Sequence, residues 1–173
     1  MTYIISTALL MISVFAFGQT EKGTVRLGGD TSFLFANTQY DGSYYSLKSV
    51  DFAASGDYFF LNRFASGLEF GFTWNKYGEG AASCRINSGV NSRYYLPIPT
   101  TVFLGAGFDL VTEIYASETA TGTGCRFQAG YAIFLNKHIA LETVFNYRLG
   151  LSDKNNGTKY DQYGAQIGLS VYF

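Results

Sequence analysis

The 173 residues suffice for one domain, and 12 Lys plus Arg against 13 Asp plus Glu leave a formal net charge of −1. So balanced a chain lacks the basic footprint of a nucleic-acid binder. Charged residues are only 14% and aromatic ones 18%, with 20 Gly and 2 Pro, a mixture that points to an all-β chain.

Ile4 to Phe17 is an apolar run broken only by Ser and Thr, with small residues at Ala16 and Gly18 ahead of Gln19. It reads as the h-region and cleavage site of a signal peptide over residues 1–18, leaving 19–173 as one domain. The run is short of the roughly 20 residues that a spanning helix needs. Any later crossing of a membrane must therefore use strands.

From Gly23 onward the pattern has period 2. Val25, Leu27, Thr31, Phe33 and Phe35 alternate with Arg26, Gly28, Asp30 and Ser32. Val50, Phe52, Ala54 and Tyr58 alternate with Ser49, Asp51, Ala53, Ser55 and Asp57, and Leu68, Phe70, Phe72 and Trp74 with Gly67, Glu69, Gly71 and Thr73. Ile86, Val90 and Tyr94 oppose Arg85, Asn87, Asn91 and Arg93; Leu104, Phe108, Leu110 and Ile114 oppose Gly105, Gly107, Asp109 and Glu113. Phe127, Ala129, Tyr131 and Ile133 oppose Arg126, Gln128, Gly130 and Ala132, and Leu141, Phe145, Tyr147 and Leu149 oppose Ala140, Glu142, Asn146 and Arg148. The last segment sets Ala165, Ile167, Leu169, Val171 and Phe173 against Gly164, Gln166, Gly168, Ser170 and Tyr172. Short turns are expected at Leu61-Asn62-Arg63, Pro97-Ile98-Pro99 and Asn136-Lys137. Longer loops are expected near Asp41-Gly42, Tyr77 to Ala82, Ser117 to Gly122 and Asp153 to Thr158. A sheet of this kind must close to remove its edges. The predicted fold is a closed eight-stranded antiparallel up-and-down transmembrane β-barrel.

The charges sort by face. Arg26, Arg85, Arg93, Arg126 and Arg148 share the small, polar face with Asp30, Asp51, Asp57, Glu69, Asp109, Glu113 and Glu142, and only Lys48 falls on the apolar side. A Lys or Arg facing lipid at mid-depth costs about 2–4 kcal/mol. The polar face is therefore expected inside and the apolar face in lipid, the inverse of a soluble ligand-binding barrel. Eight strands leave an interior just wide enough for side chains to fill, so these charges are expected to pair and plug it. Glu113 is expected to lie between Arg85 and Arg126. Tyr58, Phe59, Phe60, Phe64, Tyr94, Tyr95 and Phe134 near the short turns, and Tyr44, Tyr45, Trp74, Tyr77, Tyr115 and Tyr160 near the loops, predict two aromatic girdles.

The chain's end, Gly168-Leu169-Ser170-Val171-Tyr172-Phe173, resembles the assembly signal of outer-membrane proteins, in which a terminal Phe173 follows apolar residues at alternate positions, here Ile167, Leu169 and Val171. Ala65-Ser66-Gly67-Leu68-Glu69-Phe70-Gly71, Arg93-Tyr94-Tyr95-Leu96-Pro97 and Gly130-Tyr131-Ala132-Ile133-Phe134-Leu135-Asn136-Lys137 are similar to segments of the small outer-membrane β-barrel family that includes OmpA-type and OmpX-type barrels. The resemblance implies residence in the outer membrane, with its lipid and the barrel assembly machinery as partners; the oligomeric state is left open by the sequence, with a monomer as the expectation.

No catalytic, cofactor or metal site is expected. His138 stands beside the short turn Asn136-Lys137, away from the outer rim, with no triad within reach. Cys84 and Cys125 are expected near the tops of the fourth and sixth segments, about 9–10 Å apart, too far for a disulfide, whose Cα atoms lie within about 7 Å. A structural or surface-interaction barrel with a non-conducting interior is thus the expected function. The alternatives are a narrow pore and, disfavoured by interior charge, a secreted soluble ligand-binding barrel.

Overall fold

The computed structural model describes residues 20–40, 43–77, 82–97, 101–115, 118–153 and 161–173. The expected signal peptide, residues 1–18, lies outside them. Eight strands follow in order: β1 (Val25–Tyr40), β2 (Ser43–Leu61), β3 (Phe64–Tyr77), β4 (Ala82–Tyr95), β5 (Thr101–Tyr115), β6 (Glu118–Phe134), β7 (Ile139–Asp153) and β8 (Asp161–Tyr172). Each pairs antiparallel with its neighbours, and β1 pairs with β8 to close the barrel. The first described residues and Phe173 lie at one end of it, called here the terminal end; the other is the loop end.

Period-2 sequences form these strands because one side of each meets the barrel interior and the other does not. Phe52, Leu68, Phe70, Val90, Leu104, Phe108, Leu110, Phe127, Phe145, Ile167 and Leu169 are all exposed and form an apolar outer belt. The residues between them, Ser49, Ser55, Thr73, Asn87, Asn91, Gln128 and Ser170 among others, are buried inside. Lys48 is exposed on the outward side, ten positions from Tyr58 along β2; at about 3.4 Å per residue it sits towards the loop-end margin of the belt.

Two expectations fail here. The loops at 41–42 and 116–117 are no longer than the turns, because β2 begins at Ser43 and β6 at Glu118. The segment from Ser117 to Gly122, rich in Thr and Gly, reads as a loop by composition, yet Glu118 to Gly122 continue the ladder to β5. In addition, the aromatics near the short turns do not all belong to a girdle. Phe59, Tyr95 and Phe134 are buried inside the barrel, together with Phe103 and Tyr172. Side chains of successive residues point to opposite faces, so in Tyr58-Phe59-Phe60 the middle ring must turn inward when its neighbours turn out. Tyr58 and Phe60 do stack outside, edge to face at 4.9 Å.

The inward rings form an aromatic floor at the terminal end. Phe59 lies 5.6 Å from Tyr95 and 6.4 Å from Tyr172, Tyr95 lies 5.3 Å from Phe103, and Phe134 lies 5.0 Å from Tyr172, centroid to centroid. Gly130 is required beside it, since a Cβ there would strike the Phe103 ring. The stretch from Thr20 to Val25 and the C-terminal Phe173 close over the floor. The Gly23 amide donates to the Phe59 carbonyl (2.9 Å) and the Arg63 amide to the Thr20 carbonyl (2.6 Å), while Val25 and Phe173 exchange amide bonds of 3.1 and 2.9 Å. Gly23, at φ +97°, takes a backbone conformation that side-chain-bearing residues rarely adopt.

Candidate functional site

The chemistry of the described residues is concentrated inside the barrel, in three tiers. The lowest rests on the aromatic floor. Arg26 and Asp57 face each other across the β1–β2 ladder, and the Arg26 Nη1 donates to Asp57 Oδ2 at 2.7 Å and to Ser55 Oγ at 2.8 Å. The same guanidinium grips Glu142 with two bonds, Nε to Oε1 at 3.0 Å and Nη2 to Oε2 at 2.5 Å. Arg93 Nη1 donates to Glu142 Oε2 at 3.0 Å and Tyr172 Oη to Oε1 at 2.9 Å. The Arg93 guanidinium also stands 4.8 Å over the Phe103 ring, a cation–π contact. Two Arg balance two carboxylates, and all four are buried. Bidentate, charge-assisted bonds of this kind are the strong ones. Gly28 leaves room for them, because a Cβ there would strike the Arg26 guanidinium.

The middle tier is Arg126, Glu69, Asp109 and Arg148. Arg126 pairs with Glu69 and, at 3.4 Å, with Asp109. Arg148 Nε donates to Asp109 Oδ2 at 3.0 Å. Arg126 and Arg148 are register partners across β6 and β7, and Asp109 separates their like charges. Near the loop end the third tier includes the pair Arg85–Glu113 at 3.4 Å.

Glu113 is therefore not held between Arg85 and Arg126. Arg85 and Glu113 are ladder partners, but Arg126 stands opposite Gly107, six positions from Glu113 along β5 and so about 20 Å away. A loop over Ser117 to Gly122 would have brought Arg126 opposite Glu113; the continued strand slides it towards the terminal end. The same slide separates Cys84, opposite Ile114, from Cys125, opposite Phe108. Both are free thiols, and Cys125 is not near a strand top. Among the described residues the carboxylates lying between two Arg are Glu142, Asp109 and, with Arg93 at 3.9 Å, Asp57.

The acids do not all find a base. Asp51 accepts from the Ser32 hydroxyl at 2.7 Å, and buried Asp30 has one carboxylate oxygen without a hydrogen-bond partner. Between the middle and upper tiers lies a cavity of about 180 Å³ bordered by Ser49, Asp51, Thr73, Asn87, Asn146 and Gln166. His138 is engaged at the terminal end, its Nδ1 2.9 Å from the Tyr172 carbonyl. Among the described residues no three His, Cys, Asp or Glu are grouped as metal ligands. Sequence reasoning missed the aromatic floor, although strict parity through Tyr94-Tyr95 and Tyr58-Phe59-Phe60 marks it.

Comparison with solved structures settles the architecture. Neisserial surface protein A superposes with a TM-score of 0.65 at 13% identity, covering 88% of this chain and 98% of that one. The fold is that of the eight-stranded outer-membrane barrels. OprG of Pseudomonas aeruginosa follows with a TM-score of 0.60 at 14% identity (88% and 97% covered), and Ail, the attachment invasion locus protein of Yersinia pestis, with 0.52 at 16% (88% and 99%). No family model matches the sequence, and no curated protein matches it. The expected likeness to small outer-membrane barrels thus holds at the level of the fold.

Proposed function

We propose that the protein is an integral outer-membrane barrel whose interior is sealed along its axis, and that it serves the envelope structurally or through contacts at its outer rim. The observation that carries this reading is the lowest tier: Arg26, Asp57, Arg93 and Glu142 are interlocked and buried directly above the aromatic floor. An eight-stranded barrel has no spare width around such a plug. The apolar belt, with Leu68 68% exposed, is a surface for lipid. The charged filling is unsuited to a soluble barrel that holds an apolar ligand. Surface interaction is also the theme of a neighbour's printed name, attachment invasion locus protein.

In this reading residues 1–18 are removed on export, lipid is the solvent of the belt, and the chain acts as a monomer without catalysis. Ile167, Leu169 and Phe173 are exposed on the outward face of β8 and at its end, with Val171 half-buried between them. That arrangement suits display to the barrel assembly machinery. The test is solute flux in proteoliposomes. Vesicles carrying the folded barrel should swell no faster in small sugars or amino acids than empty vesicles. Swelling that scales with the amount of barrel would favour the narrow pore instead.

A further inference from the structure

The ladders of the barrel are unequal. β1 and β8 pair over six positions only, from Arg26↔Tyr172 to Thr31↔Ile167. Beyond that point β1 stays paired with β2 as far as Tyr40↔Ser43, and β8 with β7 as far as Leu149↔Asp161. Among the described residues, 161–166 of β8 have no partner on β1. Continued in register, Ser32 would oppose Gln166. The wall is thus unzipped along one seam, from Ser32 towards the loop end.

The depth of the seam is set by β2. Thr31 is level with Phe52, at the last paired position, and Phe35 is level with Lys48. Phe52 is exposed in the apolar belt and Lys48 is exposed on the same side. The opening therefore begins within the belt and runs past its charged margin, the depth at which lipid head groups meet acyl chains. Open backbone edges facing hydrocarbon are costly, so this seam needs an occupant or a polar lining behind it.

It has the lining. The 180 Å³ cavity is bordered both by inward polar groups and by the outward Phe52, Tyr163 and Ala165, so it passes through the wall. Gly164, inward by parity, is exposed, and a Cβ on it would meet nothing within 4 Å; Gly168, four residues along, would strike Asp30. The lining carries unused hydrogen-bonding capacity. Arg126 is 3% exposed, yet its Nε lacks a hydrogen-bond partner, as does the Asn146 Oδ1. Arg126 is matched with Glu69 and Arg148 with Asp109, and Asp51, which has no base among the described residues, accepts from the Ser32 hydroxyl. What remains is one donor group and one acceptor, which suits a neutral head bearing both.

We propose that the β1–β8 seam is a lateral entrance that seats a single-chain amphiphile. Its neutral hydroxyl- or amide-bearing head lies in the cavity against Arg126 and Asn146, and its tail leaves between Phe52 and Tyr163 into lipid. The proposal rests on the barrel spanning a membrane, but not on its axis being sealed.

The test uses the full barrel in phosphatidylcholine nanodiscs with a monoacylglycerol carrying a diazirine in its acyl chain. Photolabelling should concentrate on the segments holding Phe52, Tyr163 and Ala165. In a Cys84→Ser, Cys125→Ser background, a Ser32→Cys, Gln166→Cys pair should oxidise more slowly than a Leu27→Cys, Val171→Cys pair on the zipped part of the seam. Once oxidised, it should abolish the concentrated labelling. Asn146→Leu, which leaves the seam open, should weaken it. Labelling spread evenly around the belt would overturn the proposal. So would labelling unchanged by the cross-link, or an upper pair that oxidises as fast as the lower. Solute flux measured on the same samples reports separately on the axial seal.

Discussion

Glu142 and Glu113 are both interior carboxylates facing Arg, yet they occupy different physical worlds. Glu142 is buried at the terminal end, holds Arg26 and Arg93, and accepts from Tyr172. Glu113 stands near the loop end with its side chain 36% exposed, and meets Arg85 at a loose 3.4 Å. Below, charges and rings pack against one another; above, pairs are half-wet and a cavity remains. The same residue types at the same period therefore build a seal in one half and a lined chamber in the other. Burial and the number of partners decide which.

The largest effect that would sharpen this contrast is expected in cells. Deleting Phe173 removes an exposed side chain and the amide exchange with Val25 at the terminal seam. The folded, heat-modifiable form should fall to a small fraction of the parent, read on unheated gels of membrane fractions. Parental levels would remove Phe173 from any assembly role.

Next comes the heart of the seal. Glu142→Ala would leave two buried guanidinium groups sharing the Asp57 carboxylate, and breaking a buried pair costs about 3–5 kcal/mol. Urea unfolding in lipid vesicles should show a loss of that order. A loss below about 1 kcal/mol, the range of exposed pairs, would erase the distinction between the halves.

Gly130→Val tests the floor rather than the charges. Its side chain would run into the Phe103 ring, and overpacking of this kind costs about 1–3 kcal/mol. A Phe103→Leu change in the same chain should recover part of the loss. Absence of any recovery would locate the strain elsewhere.

The smallest effect is expected at the loop end. Glu113→Ala removes a half-exposed pair, so unfolding should shift by no more than about 1 kcal/mol. A loss matching that of Glu142→Ala would contradict the account.

Strand number, facing and closure were legible because period 2 and the near-absence of charge from the apolar face, Lys48 at its loop-end margin apart, are properties of the chain itself. Arg26, Asp57 and Glu142 could be assigned to the interior by parity alone. Their grouping could not, since it depends on how far each strand slides against the next. The Thr- and Gly-rich stretch after Ser117 shows why: read as loop it sets Arg126 against Glu113, and read as strand it sets Arg126 against Gly107. The aromatic floor was present in the parity of Tyr95 and Phe103, but aromatics near strand ends are ordinarily taken for a girdle. The open seam leaves no trace in the local pattern, because β8 alternates as regularly above Ile167 as below it.

Single-channel recording in planar bilayers tests the sealed axis most directly. The parent and Glu113→Ala barrels should stay electrically silent, whereas Glu142→Ala should show openings as the lowest tier loosens. A steady conductance through the parent barrel would contradict the account.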